Sequence, residues 1–493
     1  MSPPESPPND IQYSFLLQNG IPAIWNNAVG PLALICNFSF FAHAGGTNYM
    51  ATWSIVQSTI GFCQGICNFL LYVPMAQMAQ IVGRKNINLE QVKWSILWTI
   101  GISICVGLIC VFGLWAGFYS GSLYQLMKVL TELQPLVWSY FQGRIVSILC
   151  AFLAKVGTGI LVGKQHVQLV TVLNTIMNVL DVGLNYGVLF VWKKGLFEAG
   201  LATSIANLVG VFILVPTAYW IKPNTNIVQN LKIPENKEMD VEDVPPEGSF
   251  DDESDSFDIF EFLQSSSNMM IRSICLQSAM YSLTVMASRL GPNTLSAHQI
   301  ILQLWSLVSY TCDGFADVGT MVGGRLLGGK QNETMKILTL RLFWLGFLLG
   351  VLCLVVLMIW KENIISLFIH PDTDEEIYSL LENIWTFIAC MQPINAMVYI
   401  SDGLLFAHQA FGFVRNLMVI GVCLIFGPVL IMGYSLHHSL LWIWIAKSCL
   451  SVWRCIAAFW FCVKYFQSVS KKSQTDLGIS KGVLTENSPL LRK

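Results

Sequence analysis

Apolar residues fall along this chain in blocks of about twenty, separated by short polar stretches that hold most of the charge. About twenty apolar residues cross the hydrocarbon of a bilayer as a helix. By that measure twelve helices are predicted, near 21–43, 52–80, 94–118, 136–162, 167–191, 199–221, 266–288, 295–322, 338–360, 383–406, 413–434 and 440–463. The expected class is an all-α membrane protein.

One interruption is different in kind. Residues 222–257 include VEDVPPEGSFDDESDS, rich in acid, Pro and Ser, a composition that cannot bury enough apolar surface to fold. The expected organisation is a tail over 1–20, a six-helix lobe over 21–221, an acidic cytosolic linker over 222–257, a second six-helix lobe over 258–466, and a tail over 467–493.

The pattern on either side of the linker repeats. IVGRKNINLEQVK (81–93) is matched by LLGGKQNETMK (326–336), and TGILVGKQ (158–165) by DGLLFAHQ (402–409), at offsets of 245 and 244 residues. Six is even, so both copies enter the bilayer the same way up, related by a pseudo-two-fold axis along its normal. Parallel repeats of this kind build transporters, with the substrate site between the lobes.

Composition agrees. Of 493 residues 54% are hydrophobic and 12% charged, and the mean hydropathy is +0.57; a soluble domain carries roughly 25% charged residues. The net charge of −2 argues against a strong polyelectrolyte partner, and no nucleic-acid partner is expected. Eighteen Lys and Arg residues fall in the even-numbered connections, their flanks and the C-terminal tail, five on the other side and five within spans. The positive-inside rule then puts both termini in the cytosol. The N-terminus, MSPPESPPNDIQYSF, lacks the charged and apolar regions of a cleaved signal peptide. The 14 cysteines lie mostly inside apolar runs and read as small filler. Cys63 and Cys67 share a helical face but have no further ligands beside them, so no metal and no cofactor is expected.

An ionisable group at mid-membrane costs about 2.5–3.5 kcal/mol on insertion scales, so each one calls for an explanation. Asp181 stands amid Val179, Leu180, Val182 and Leu184. Asp313 and Asp317 stand four apart in SYTCDGFADVGT, hence on one helical face. Asp402 and Arg272 also fall within spans, and an ion pair of Arg272 with one of the acids, Asp313 or Asp402, is the cheapest way to bury such a charge. Span eight is expected to end near Gly323, which leaves Asp317 solvated at its mouth.

Several stretches resemble the multidrug and toxic compound extrusion (MATE) family, in particular its DinF-like branch. They are MNVLDVGLNYG (177–187), AGLATSIANLVG (199–210), ASRLGPNTLSAHQIILQLWSLVSYTCDGFADVG (287–319), and SDGLLFAHQ (401–409) followed by RNLMVIG (415–421). The resemblance runs from about Ile21 to Phe466. It implies a secondary antiporter, not an enzyme, whose lobes rock to export small organic solutes against H⁺ or Na⁺. No G-x-x-x-x-G-K-[ST] phosphate loop occurs, so the drive would come from an ion gradient.

The resemblance implies ion coupling at Asp181. It also shows departures: Asn37 stands where the family's first helix carries an aspartate, and Asn178 precedes Asp181 by three, not four. Asn37, Asn174, Asn178 and Thr203 are the expected partners of Asp181. In the second lobe Asp313, Asp402, Gln299, Gln303, Arg272 and Tyr310 are the expected substrate cavity, with His298 and Asn395 as further polar lining. Organic cations would suit Asp313 and Asp402; organic anions would suit Arg272 and Lys155. The alternatives are a lipid flippase of the same superfamily, disfavoured by acids in both lobes, and a non-transporting membrane sensor, suggested by Asn37. Finally, Glu486, Leu490 and Leu491 in TENSPLLRK resemble an acidic dileucine signal read by clathrin adaptors on endosomal and lysosomal proteins.

Overall fold

A computed structural model describes residues 12–84, 89–127, 129–224, 259–368 and 375–486. The described chain is helical almost throughout. Its long helices are α1 (Tyr13–Gly46), α2 (Asn48–Gly83), α3 (Val92–Tyr119), α4 (Gln134–Gly163), α5 (Val167–Val191) and α6 (Leu196–Trp220), followed by α7 (Ile259–Arg289) and α8 (Pro292–Gly328). Then come α9 (Asn332–Ile359), α10 (Glu375–Cys390 and Gln392–Ala407, bent by 49°), α11 (Phe411–His437) and α12 (Leu440–Ser468, continuing as helix to Glu486).

Nine of these are long and apolar enough to cross a membrane, ten with the bent α10. The expected twelve is reached only by adding α7 and α8, which have the length but a more polar sequence. Those two helices carry Arg272, Asp313 and Asp317. Most of the linker and the last seven residues, with Leu490 and Leu491, lie outside the described residues, as does the side chain of Glu486.

The two halves repeat each other in backbone detail. Gly46 (φ +64°) between α1 and α2 matches Gly291 (φ +123°) between α7 and α8, 245 residues on. Both turn the chain through conformations open in practice to glycine alone. Gln165 (φ +70°) after α4 matches Gln409 (φ +51°) after α10, 244 on, and Lys193 (φ +49°) after α5 matches His438 (φ +45°) after α11, 245 on. Both α5 and α11 contain a π-helical segment that opens on a glycine, Gly187–Val191 and Gly421–Phe426. Packing repeats as well: α1 with α5 and α2 with α4 in the first lobe correspond to α7 with α11 and α8 with α10 in the second.

The lobes meet along α2 and α8. There a Cβ added to Gly83 would strike the Arg325 carbonyl oxygen, and one added to Gly328 would strike that of Gln80. Gly328 lies 245 after Gly83, and Arg325 lies 245 after Gln80. The contact therefore maps onto itself, which places a local two-fold axis between these helix ends. Buried apolar side chains of both lobes, among them Leu70, Val73, Val322 and Phe406, fill the seam beside it.

Candidate functional site

In the first lobe a polar cluster joins α1, α5 and α6. Asn37 Nδ2 donates to Asp181 Oδ2 at 2.7 Å. Asn185, one turn beyond Asp181, lies within hydrogen-bonding reach of Asp181 Oδ1 (3.0 Å) and Thr203 Oγ1 (2.9 Å) through its Nδ2. Asn37, Asn185 and Thr203 are all buried. The amide oxygens Asn37 Oδ1 and Asn185 Oδ1 are buried without a hydrogen-bond partner. A single carboxylate thus sits among neutral groups, with two unspent oxygen acceptors beside it.

Two expected members are elsewhere. Asn174 Nδ2 contacts Asn26 Oδ1 (2.7 Å) and Thr158 Oγ1 (3.4 Å), and Asn178 bonds back to the Asn174 carbonyl. Asn174 precedes Asp181 by two turns, about 10 Å along the axis, and neither asparagine touches the carboxylate. Asn185 was not anticipated. Its signal was the i, i+4 spacing in DVGLN, with the order of Asn and Asp reversed from the one the resemblance suggests.

In the second lobe Asp402 Oδ2 accepts from Arg272 Nη2 at 2.5 Å and from Arg454 Nη2 at 2.6 Å, all three buried. Arg454 was also missed; its partner is 52 residues away in sequence and only tertiary structure pairs them. Two guanidiniums on one carboxylate leave a local positive excess. Asp313, half-buried on α8, has no hydrogen bond or ion pair of its own among the described residues. Tyr310 and Gln303 are exposed on the same helix and Gln299 is half-buried. His298 is not cavity lining: it is fully buried, 3.2 Å from Thr284 Oγ1 and against the Trp444 ring. Asn395 is likewise buried, donating to Gln392 Oε1 at 3.3 Å.

Asp317 corrects the expectation of a solvated mouth residue. Helix α8 continues to Gly328, so Asp317 lies eleven residues inside its end, about 16 Å deep. It is 7% exposed and accepts a hydrogen bond from Asn27 Nδ2 of the opposite lobe at 3.0 Å.

The 245 and 244 offsets superpose these groups on first-lobe positions. Arg272 corresponds to Asn27, Asp313 to Asn68, Asp317 to Tyr72, Tyr399 to Lys155 and Asp402 to Thr158. Lys155 Nζ bonds the Gln64 carbonyl and Asn68 Oδ1, both at 2.5 Å, where α2 loses its helical turn at Cys67 and Asn68. Lys155 is thus occupied within its own lobe, as Arg272 is by Asp402.

Comparison with known proteins bears on this arrangement. Residues 269–432 match the MatE family model. The curated protein DETOXIFICATION 44, chloroplastic, of Arabidopsis thaliana is 28% identical over 244 residues, 49% of this chain and 41% of that protein. DNA damage-inducible protein F of Escherichia coli (strain K12) is 22% identical over 195 residues, 39% of this chain and 41% of that one. Each match therefore spans less than half the length of the curated relative. Among solved structures, a multidrug resistance MATE family transporter of the MOP superfamily in an outward-facing conformation aligns over 92% of this chain and 95% of its own, at 14% identity and a TM-score of 0.77. A MOP superfamily transporter from Pyrococcus furiosus aligns over 92% and 96%, at 15% identity and the same score. The chain is thus a membrane protein with the fold of the MATE transporters, and its residues 269–432 match the MatE family.

Proposed function

We propose that this protein exports small organic solutes in exchange for H⁺ or Na⁺, its two lobes opening the seam to each side of the membrane in turn. The observation that carries the coupling is the Asp181 cluster. One carboxylate, two buried amide oxygens without partners and a hydroxyl make an oxygen-only set, which suits a proton or a hard cation. Its other members are neutral amides and a hydroxyl, so the carboxylate is the one charged group in the cluster.

Substrate would meet the seam near Asp313, with Tyr310, Gln303 and Gln299 along the same helix. Asp313 favours a cationic solute, whereas the spare positive charge around Asp402 favours an anionic one. In the conformation described, the lobes touch where α2 and α8 end. Alternation of the helices puts that end on the linker side, which the distribution of basic residues assigns to the cytosol. Delivery to endosomal or lysosomal membranes through clathrin adaptors rests on Glu486, Leu490 and Leu491. Changing both leucines to Ala should then redirect a tagged protein to the cell surface.

The test is uptake into proteoliposomes under an imposed pH or Na⁺ gradient, with an organic cation (tetraphenylphosphonium) and an organic anion (citrate) as probes. Flux that follows neither gradient, in demonstrably folded protein, would remove the exchange reading.

A further inference from the structure

Side-chain hydrogen bonds from the first lobe cross the seam at Gln80, Gln165 and Asn27. Gln80 Nε2 donates to the Ala407 carbonyl at 2.7 Å, and Gln165 Nε2 to the Met321 carbonyl at 2.9 Å. Both lie near the helix ends. The third, Asn27 Nδ2 to Asp317 Oδ2 at 3.0 Å, lies deeper and joins two side chains. Around it the backbones are close: a Cβ on Gly314 would press on Ile24, and one on Gly20 on the Phe315 ring.

The pseudo-two-fold maps Asn27 onto Arg272 and Asp317 onto Tyr72, so the crossing has a mate. There Tyr72 does not take a charged partner directly. Its ring packs on Phe406 with centroids 4.9 Å apart, and the Arg272 guanidinium covers the same Phe406 at 5.7 Å. One of the two equivalent crossings is therefore apolar in its centre and the other is a charge-assisted hydrogen bond. Asp317 has a reason to differ from its mate that packing alone does not supply.

We infer that Asn27 and Asp317 form a latch that holds α1 against α8 and keeps the linker-side end of the seam shut. A carboxylate with so little exposure needs the partner it has. Nothing else described bonds it: Arg272 and Arg454 are spent on Asp402, Tyr72 lies against Phe406, and Asp313 shares its sign. Parting the lobes at this end would exchange the Asn27 amide for water. The bond thus belongs to one conformation, and its removal weakens that conformation more than the alternative. This deepens the proposed exchange by naming what must break for the linker-side end to open.

The test uses full-length protein in nanodiscs, spin-labelled through unnatural amino acids at Gln168 and Lys336, which are exposed on opposite lobes at this end. Pulsed dipolar spectroscopy then reads the ratio of short to long distances. Asn27→Ala and Asp317→Ala should each shift that ratio about tenfold towards long distances, the size expected for a charged hydrogen bond. Asp317→Asn, which keeps the volume and an acceptor, should shift it less. The exchange N27D/D317N rebuilds the bond with donor and acceptor reversed, and should bring the ratio back towards wild type. Single variants within twofold of wild type, or an exchange variant no better than the singles, would overturn the latch. The distance readout needs no substrate. A clear shift without ion-driven uptake would leave the latch standing and remove the transport reading instead.

Discussion

The two lobes share a backbone and differ in what they bury. At equivalent positions the first holds Asn27, Asn68, Tyr72, Lys155 and Thr158, the second Arg272, Asp313, Asp317, Tyr399 and Asp402. The second lobe locks most of its charge into Arg272–Asp402–Arg454, with both contacts at 2.6 Å or less. The first leaves Asp181 with neutral partners alone. A carboxylate held by two guanidiniums has its charge compensated where it sits, whereas one held by amides alone has no cationic partner beside it. Duplication supplied two scaffolds, and divergence filled one with a charged brace and the other with a lone carboxylate among neutral groups.

The comparison breaks most visibly at its charges. Asp402→Asn would strand two buried guanidiniums, and should cost about 3–5 kcal/mol of stability, the penalty for breaking a buried pair by removing one partner. Thermal unfolding in detergent measures it. Asp181→Asn should leave the unfolding midpoint within a few degrees of wild type yet reduce gradient-driven exchange roughly 5–150-fold, the span of ordinary coupling energies. If the two variants exchange these phenotypes, the roles assigned to the lobes are reversed.

A finer test compares one skeleton position in its two chemistries. Lys155 joins the irregular turn of α2 through a charged group, while Tyr399, its counterpart, carries only a neutral hydroxyl. Lys155→Met should cost about 1.5–3 kcal/mol, as the loss of a charged hydrogen bond does, and Tyr399→Phe should cost less. Equal losses would mean that shape, not charge, holds the turn.

How much of this was legible follows from the distances involved. The helices were legible because a twenty-residue apolar run is a local signal, and α5 over 167–191 was placed without error. The duplication was legible as two short matches, and the paired turns at Gln165 and Gln409 lie at the end of one of them. Asp181 could be picked out because an acid inside an apolar run stands out against its neighbours. Its partners were harder. Asn37 and Thr203 came from the resemblance, Asn174 failed because two helical turns separate it from the carboxylate, and Asn185 was hidden by the reversed order. Arg454 and Asn27 could not be read at all, since each finds its acid on a helix remote in sequence. The extent of α8 decided Asp317: five more helical residues turn a solvated position into a buried one.

A contrast that shows only as pH falls lies at the ends of α4 and α10, where the repeat sets Lys164 against His408. Lys164 is buried just past α4 and donates to the carbonyls of Ala218 (2.7 Å) and Ile221 (2.9 Å), closing the end of α6. Burial lowers its pKa to about 8, so it keeps its charge at neutral pH. His408 instead packs among Phe461 and Tyr465, its ring centroid 4.4 Å from that of Tyr465, and burial pushes its pKa down to about 4. A base that resists protonation when folded binds fewer protons than the unfolded chain does between its two pKa values. Stability should therefore fall as pH drops from about 6.5 towards 4, and level off below that. His408→Gln removes this titration and should flatten that part of the profile, measured as unfolding midpoint against pH. Lys164→Gln should lower the midpoint at every pH and leave the acid slope in place. A slope that persists in His408→Gln would mean that another group carries it, and that the two equivalent turns differ in packing alone.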